Sequence, residues 1–202
     1  MKTIKTLLLG ILAISAITAC KNETADKIRN AQQNISNITD MVSNAKESQK
    51  KAEKLKELEP LTNEELKAWL PESVDGLNRT GFKVGKAGYL NVASIEGTYK
   101  EPEGKQLRVE IIDGAGQMGS TLITGMGMST NMEMEEESES RHIKTVTVND
   151  IRAKQTYHKK RDDTDLQFVY KDRLIVMVNA KDMDPEATWN LIEKLNLNQL
   201  LK

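Results

Sequence analysis

Residues 141–180 read RHIKTVTVNDIRAKQTYHKKRDDTDLQFVYKDRLIVMVNA. Four runs in this stretch, Arg141–Val148, Ile151–Lys159, Thr164–Tyr170 and Leu174–Ala180, are rich in β-branched and aromatic residues with rough alternation, the pattern of half-buried strands. Asp162-Asp163 and Lys171-Asp172 fall at turns, and the second pair is short enough for a tight hairpin. Upstream, Arg79–Gly85, Tyr89–Tyr99 and Gln106–Asp113 carry the same signal, with Glu101-Pro102-Glu103-Gly104 as the turn between the last two. Ser73–Asn78, containing Asp75-Gly76, reads as a loop, and Asn131–Ser140, acidic and poor in apolar residues, as another.

Helical signals punctuate these strands. Thr62-Asn63-Glu64-Glu65 is a capping box, a hydroxyl N-cap with Glu three residues on. It opens a short helix bearing Leu66, Trp69 and Leu70 that Pro71 stops. Residues 114–130 place Met118, Leu122, Ile123 and Met126 on one helical face, with Asp113 as the expected cap. Asp184-Pro185-Glu186 starts a last helix, with Pro at the first position and an acid beside it. Trp189, Ile192, Leu195, Leu200 and Leu201 form its apolar side. Hairpins broken by single helices predict an α+β fold over residues 61–202: an antiparallel sheet with helices packed on one face, preceded by a helical stalk. This layout resembles that of the PsbP/Mog1-like sandwiches.

Ahead of Pro60, residues 22–59 contain no Gly. Ile28, Ala31, Ile35, Ile38, Val42, Ala45, Gln49 and Ala52 follow alternating spacings of three and four, an a/d seam. Leu55 and Leu58 extend the apolar face out of register. The seam fits a short coiled coil, or a single amphipathic stalk that packs on its own domain or spaces it from a membrane.

Residues 1–19 are different again. Lys2 and Lys5 precede the apolar run that starts at Leu7-Leu8-Leu9 and continues to Ala19, and no acid occurs before Glu23. The run is too short to span a bilayer and reads as an export signal. It ends in Ile17-Thr18-Ala19-Cys20, which resembles the lipobox of bacterial lipoproteins. That resemblance implies removal of residues 1–19 and a covalent lipid on the Cys20 thiol. It also implies a tether over residues 20–60 and a location in the cell envelope, at the outer membrane. Lys21-Asn22-Glu23 is similar to the Lys-plus-acid surface-export tag of Bacteroidetes lipoproteins, with Asn22 departing from that pattern. Burial of acyl chains contributes about 0.8 kcal/mol per CH₂, so two or more chains give a stable anchor.

Composition narrows the function. The 202 residues carry 29 Lys and Arg against 30 Asp and Glu, a net charge of -1. Loss of residues 1–19 leaves 27 basic and 30 acidic side chains, a net charge of -3. That balance argues against nucleic-acid binding. The single Cys excludes an internal disulfide and any CxxC site, and two His exclude a His-rich cage.

Three constellations bear on chemistry. Gly114-Ala115-Gly116-Gln117-Met118-Gly119 matches G-x-G-x-x-G. The antiparallel context instead suggests glycines that let a helix approach a sheet, so no cofactor is expected beyond the lipid. Met126, Met128, Met132 and Met134 lie in a Met-rich segment, residues 118–134, and His142 beyond it is a further candidate ligand. Thioethers suit Cu(I), which makes a copper-binding protein the alternative function. His142 and His158 could serve a hydrolase with Ser120, but no G-x-S-x-G, H-E-x-x-H or S-x-x-K motif occurs. The expectation is a non-catalytic binding module in the envelope, with the membrane and a protein or envelope component as partners.

Overall fold

The structure is a computed structural model and describes residues 47, 49–87, 92–102 and 104–201. Residues 1–46 lie outside that set, and with them the signal, the lipobox and most of the expected stalk. The residues from Ser48 onward form one compact unit.

Its frame is a nine-stranded sheet in which every neighbouring pair is antiparallel. In chain order the strands are β1 (Ser73–Val74), β2 (Leu77–Ala87), β3 (Val92–Lys100), β4 (Gln106–Asp113), β5 (Glu135–Glu137), β6 (His142–Val148), β7 (Ile151–His158), β8 (Asp163–Tyr170) and β9 (Leu174–Lys181). Their spatial order is β1-β2-β3-β4-β9-β8-β7-β6-β5. Two meanders therefore meet where β4 pairs with β9. Among the described residues four helices join the sheet: α1 over residues 49–57, α2 (Asn63–Trp69), α3 (Gly116–Asn131) and α4 (Pro185–Lys194), with a closing 3-10 turn at Leu197–Leu201.

The mixed α+β class holds, with sheet predominating, but the helices do not share one face. Successive strand residues point to opposite sides, and apolar side chains here occur on both. On the first face, Ile95, Tyr99, Val109, Ile111, Phe168 and Val176 pack with Leu66 and Trp69 of α2 and with Trp189 and Ile192 of α4. On the second face, Val92, Ile112 and Ile175 pack with Ile123 of α3 and Leu55 of α1. Topology explains this division. The chain leaves β4 at the centre of the sheet and re-enters at β5 on its edge, so α3 must cross one face on the way. It packs over β7, β8 and β9.

The domain starts earlier than position 61. Leu55, on the late part of the expected stalk, is only 5% exposed, and Lys51 pairs with Asp172 at 3.2 Å. Leu58 stays 44% exposed, so the apolar face ends with the helix.

Local chemistry sets the other boundaries. Both bonds of the capping box form: Thr62 Oγ1 accepts from Glu65 N–H, and Glu65 accepts from Thr62 N–H at 2.7 Å. The bonds that the Glu65 carboxylate accepts from the Thr62 N–H and hydroxyl hold it below its ordinary pKa. Arg79 donates to the carbonyls of Leu70 and Pro71, closing the end of α2. The expected loop at Ser73–Asn78 is instead a hairpin. Val74 pairs with Leu77 around Asp75 and Gly76, which have φ of 48° and 90°. Asp-Gly tolerates the positive φ that a two-residue hairpin turn demands. The expected loop at Asn131–Ser140 holds the short strand β5, whose three glutamates line the sheet's edge and discourage further pairing there.

Asp113 does not cap α3; the N-cap is Ala115, without a side-chain bond. Fully buried Asp113 instead accepts from Leu61 N–H, Ala115 N–H and two nitrogens of Arg173, all within 3.1 Å. One carboxylate thereby joins the entry to α2, the entry to α3 and the turn before β9. The hydrogen bond to Asp113 raises the Arg173 pKa further above its ordinary value.

Candidate functional site

α3 covers only one end of the second face, over Ile112, Ile175 and Val169. Towards the other end the outward positions become polar. One row across the strands runs Glu96, Glu110, Met177, Gln167 and Lys154, and the next runs Thr98, Arg108, Asn179, Asp165 and Thr156. This bare half of the sheet forms an open shelf. It carries a groove of about 290 Å³ over β4, β9, β8 and β7, and a second hollow that shares Arg108 and Asn179 and extends to Thr98 and Lys181. Most shelf residues are half-buried, while Arg108 and Lys181 are exposed.

Part of the charge on the shelf is neutralised within it. Glu96 takes Lys83 at 3.4 Å and Arg108 at 3.8 Å. Asp165 accepts from Asn179 Nδ2 at 2.6 Å and lies 2.8 Å from His158 Nε2. No hydroxyl group bonds to His158 among the described residues. The chain Asn179–Asp165–His158 orients polar groups at the rim of the groove.

On the first face the described helices α2 and α4 pack over the sheet. Trp69 Nε1 donates to Leu195 O at 3.1 Å, and Trp189 Nε1 to Gln155 Oε1 at 3.0 Å. The Tyr99 hydroxyl donates to Pro71 O at 3.2 Å, and burial pushes its pKa up to about 12. Every buried side-chain nitrogen and oxygen among the described residues has a partner.

The sequence-derived candidates are scattered. Met126 packs against the second-face core, whereas Met128 is 70% exposed two residues later. An α-helix turns residues two apart by roughly 200°, so this M-x-M pair is split between opposite sides of α3. Met132 caps the helix and is exposed, and Met134 follows in the extended segment before β5. His142 lies 2.8 Å from Glu135 of the neighbouring strand. Among the described residues, no group of three or more His, Cys, Asp and Glu side chains converges on a point. Ser120 is fully buried and donates to Gln117 O. His142 pairs with Tyr157 in register, so it faces the side of the sheet opposite His158. Cys20 lies outside the described residues.

Packing accounts for the G-x-G-x-x-G glycines. A Cβ on Gly114 would collide with Ile123 Cγ1 and stand 2.5 Å from Arg173 O. One on Gly119 would stand 2.6 Å from the Gly114 carbonyl carbon. These two residues let α3 lie close against β4, as the antiparallel context suggests. Gly125 and Gly127, later in the same helix, would meet nothing within 4 Å.

Sequence reasoning missed the shelf residues Arg108, Glu110, Lys154, Asp165, Gln167 and Asn179. A signal was present: β4 and β9 are continuously apolar at one end and alternate with polar residues at the other. Such a pattern marks strands covered on both faces for only part of their length. No protein-family model matches the chain, and comparison with curated proteins and with solved structures returned no significant match.

Proposed function

We propose that the protein is a membrane-anchored lipoprotein of the bacterial envelope whose body is a non-catalytic binding module, with the polar shelf as its binding surface. The shelf carries this reading. It is a continuous set of half-buried polar side chains on rigid strands, in a body whose other face is closed by packed helices. Polar groups fixed by a sheet are suited to holding a ligand in one orientation. The anchor rests on Ile17-Thr18-Ala19-Cys20 after an apolar export signal. None of the described helices is long and apolar enough to cross a membrane.

Two experiments test the two halves of the reading. Replacing Cys20 with Ser moves the protein from the membrane fraction to the soluble fraction and abolishes fatty-acid labelling; unchanged fractionation overturns the anchor. A photo-crosslinking residue at Gln167 on the shelf yields a discrete adduct in intact cells, and one at Glu186, exposed on α4, does not. Equal yields at both positions overturn the shelf as the binding surface.

A further inference from the structure

The charge distribution on the shelf specifies the class of ligand, an inference that rests on the shelf being a binding surface. Four charged side chains line the groove; Arg108 and Asp165 have partners, and Glu110 and Lys154 have none among the described residues. Glu110 on β4 has no hydrogen bond or ion pair with any described side chain, although it is half-buried. It stands directly across from Glu96, whose charge is already met by Lys83 and Arg108. Arg108, two residues along the same strand, lies within ion-pair distance of Glu96 and not of Glu110. Lys154 on β7 is also half-buried, lies between Gln167 and Thr145 in register, and has no partner among the described residues. The matched carboxylate nearest to it, Asp165, is engaged by His158 and Asn179.

One unmatched charge of each sign thus stands at either side of the same groove, with Met177 and Gln167 as the floor between them. In the open groove these two charges are left to water, and a ligand of opposite charge adds a charge-assisted contact at each. β4 and β7 are separated by three strand spacings, about 14 Å between backbones. Both side chains stand on the groove side of the sheet and line the groove. An extended peptide covers at most about 3.5 Å per residue, so two or three residues fit the remaining gap. We infer that the shelf binds a short zwitterionic peptide, with its ammonium group on Glu110 and its carboxylate on Lys154. The floor of the groove accommodates small side chains and exerts little selection among them. The ligand class is therefore set by its two ends.

Binding is read from the ¹³C-methyl resonance of Met177 in the full chain, with the anchor held in detergent micelles. Trialanine shifts this resonance in a saturable manner. N-acetylation or C-amidation of the peptide weakens binding about tenfold or more, because each removes a charge-assisted contact. Glu110→Gln becomes indifferent to N-acetylation, and Lys154→Gln becomes indifferent to C-amidation. The cross-pattern separates the two contacts from any general loss of folding, since each variant retains sensitivity to the other end. No shift with trialanine, or equal affinity for free and doubly capped peptide, overturns the inference. A saturable shift with a neutral disaccharide or a dicarboxylate, but none with trialanine, also overturns it while leaving the shelf as a binding surface.

Discussion

Phe168 and Gln167 are neighbours on β8 and point to opposite sides of the sheet, and the two sides are built differently. Phe168 is fully buried, with its ring centroid 5.5 Å from that of Trp189. Gln167 lies on the floor of an open groove. The first face is stabilised by continuous aliphatic and aromatic packing under α2 and α4. The second is packed only where α1 and α3 cover it. A single strand can therefore serve both ends, a closed core behind and a polar platform in front, because its side-chain period is two.

The largest expected effect sets these two residues against each other. Phe168→Ala destabilises by about 3–5 kcal/mol, as large-to-small changes in cores do. Gln167→Ala changes stability by less than about 0.5 kcal/mol. Urea unfolding measures both, and equal losses would erase the distinction between the faces. Asp113 joins the two sides by binding the entries to α2 and α3 together with Arg173. Asp113→Ala leaves the Arg173 guanidinium, 17% exposed, without its carboxylate, at a cost of about 3–5 kcal/mol.

The glycines of α3 sharpen the comparison on a smaller scale. Gly119→Ala places a methyl within 2.8 Å of Asp113 O and destabilises by about 1–3 kcal/mol through overpacking against the sheet. Gly125→Ala meets open space and stabilises the helix by roughly 1 kcal/mol. Opposite signs in thermal melts support the packing account, and a loss at both positions contradicts it.

The smallest effect concerns the capping box on the first-face helix. The Glu65 pKa is lowered below its ordinary value of 4.5 in the folded protein. Its contribution to stability is therefore complete above pH 4.5 and is lost as pH falls through the lower folded value. Glu65→Gln makes the loss of stability between pH 7 and pH 3 shallower. The same loss in both proteins would show that the reciprocal bonds to Thr62 do not form.

Much of the strand framework was legible because alternation reports local structure. Gln106–Asp113 is read at its observed limits, and the other expected strands match to within two residues at each end that lies among the described residues. The capping box at Thr62 and the helix start at Asp184-Pro185 were legible for the same reason, since each is a contact between near neighbours in sequence. What alternation does not report is which face a helix covers. Placing α3 opposite α2 and α4 depends on β4 pairing with β9, a contact between segments more than sixty residues apart. The make-up of the shelf was hidden on the same ground, because Arg108 joins Asn179, Asp165 and Thr156 only through that pairing. The hairpin at Asp75-Gly76 was missed despite its turn residues, because β1 has only two residues in which a pattern could appear.

The contrast between the faces is tested most directly by methionine oxidation footprinting read by mass spectrometry. In the purified full chain, Met177 on the shelf is oxidised faster than Met183, which is 3% exposed in the first-face core. In intact envelopes, occupation of the shelf slows oxidation of Met177 and leaves exposed Met128 unchanged. Equal protection of Met177 and Met183 in the purified protein, or identical rates at Met177 in both settings, would contradict the account.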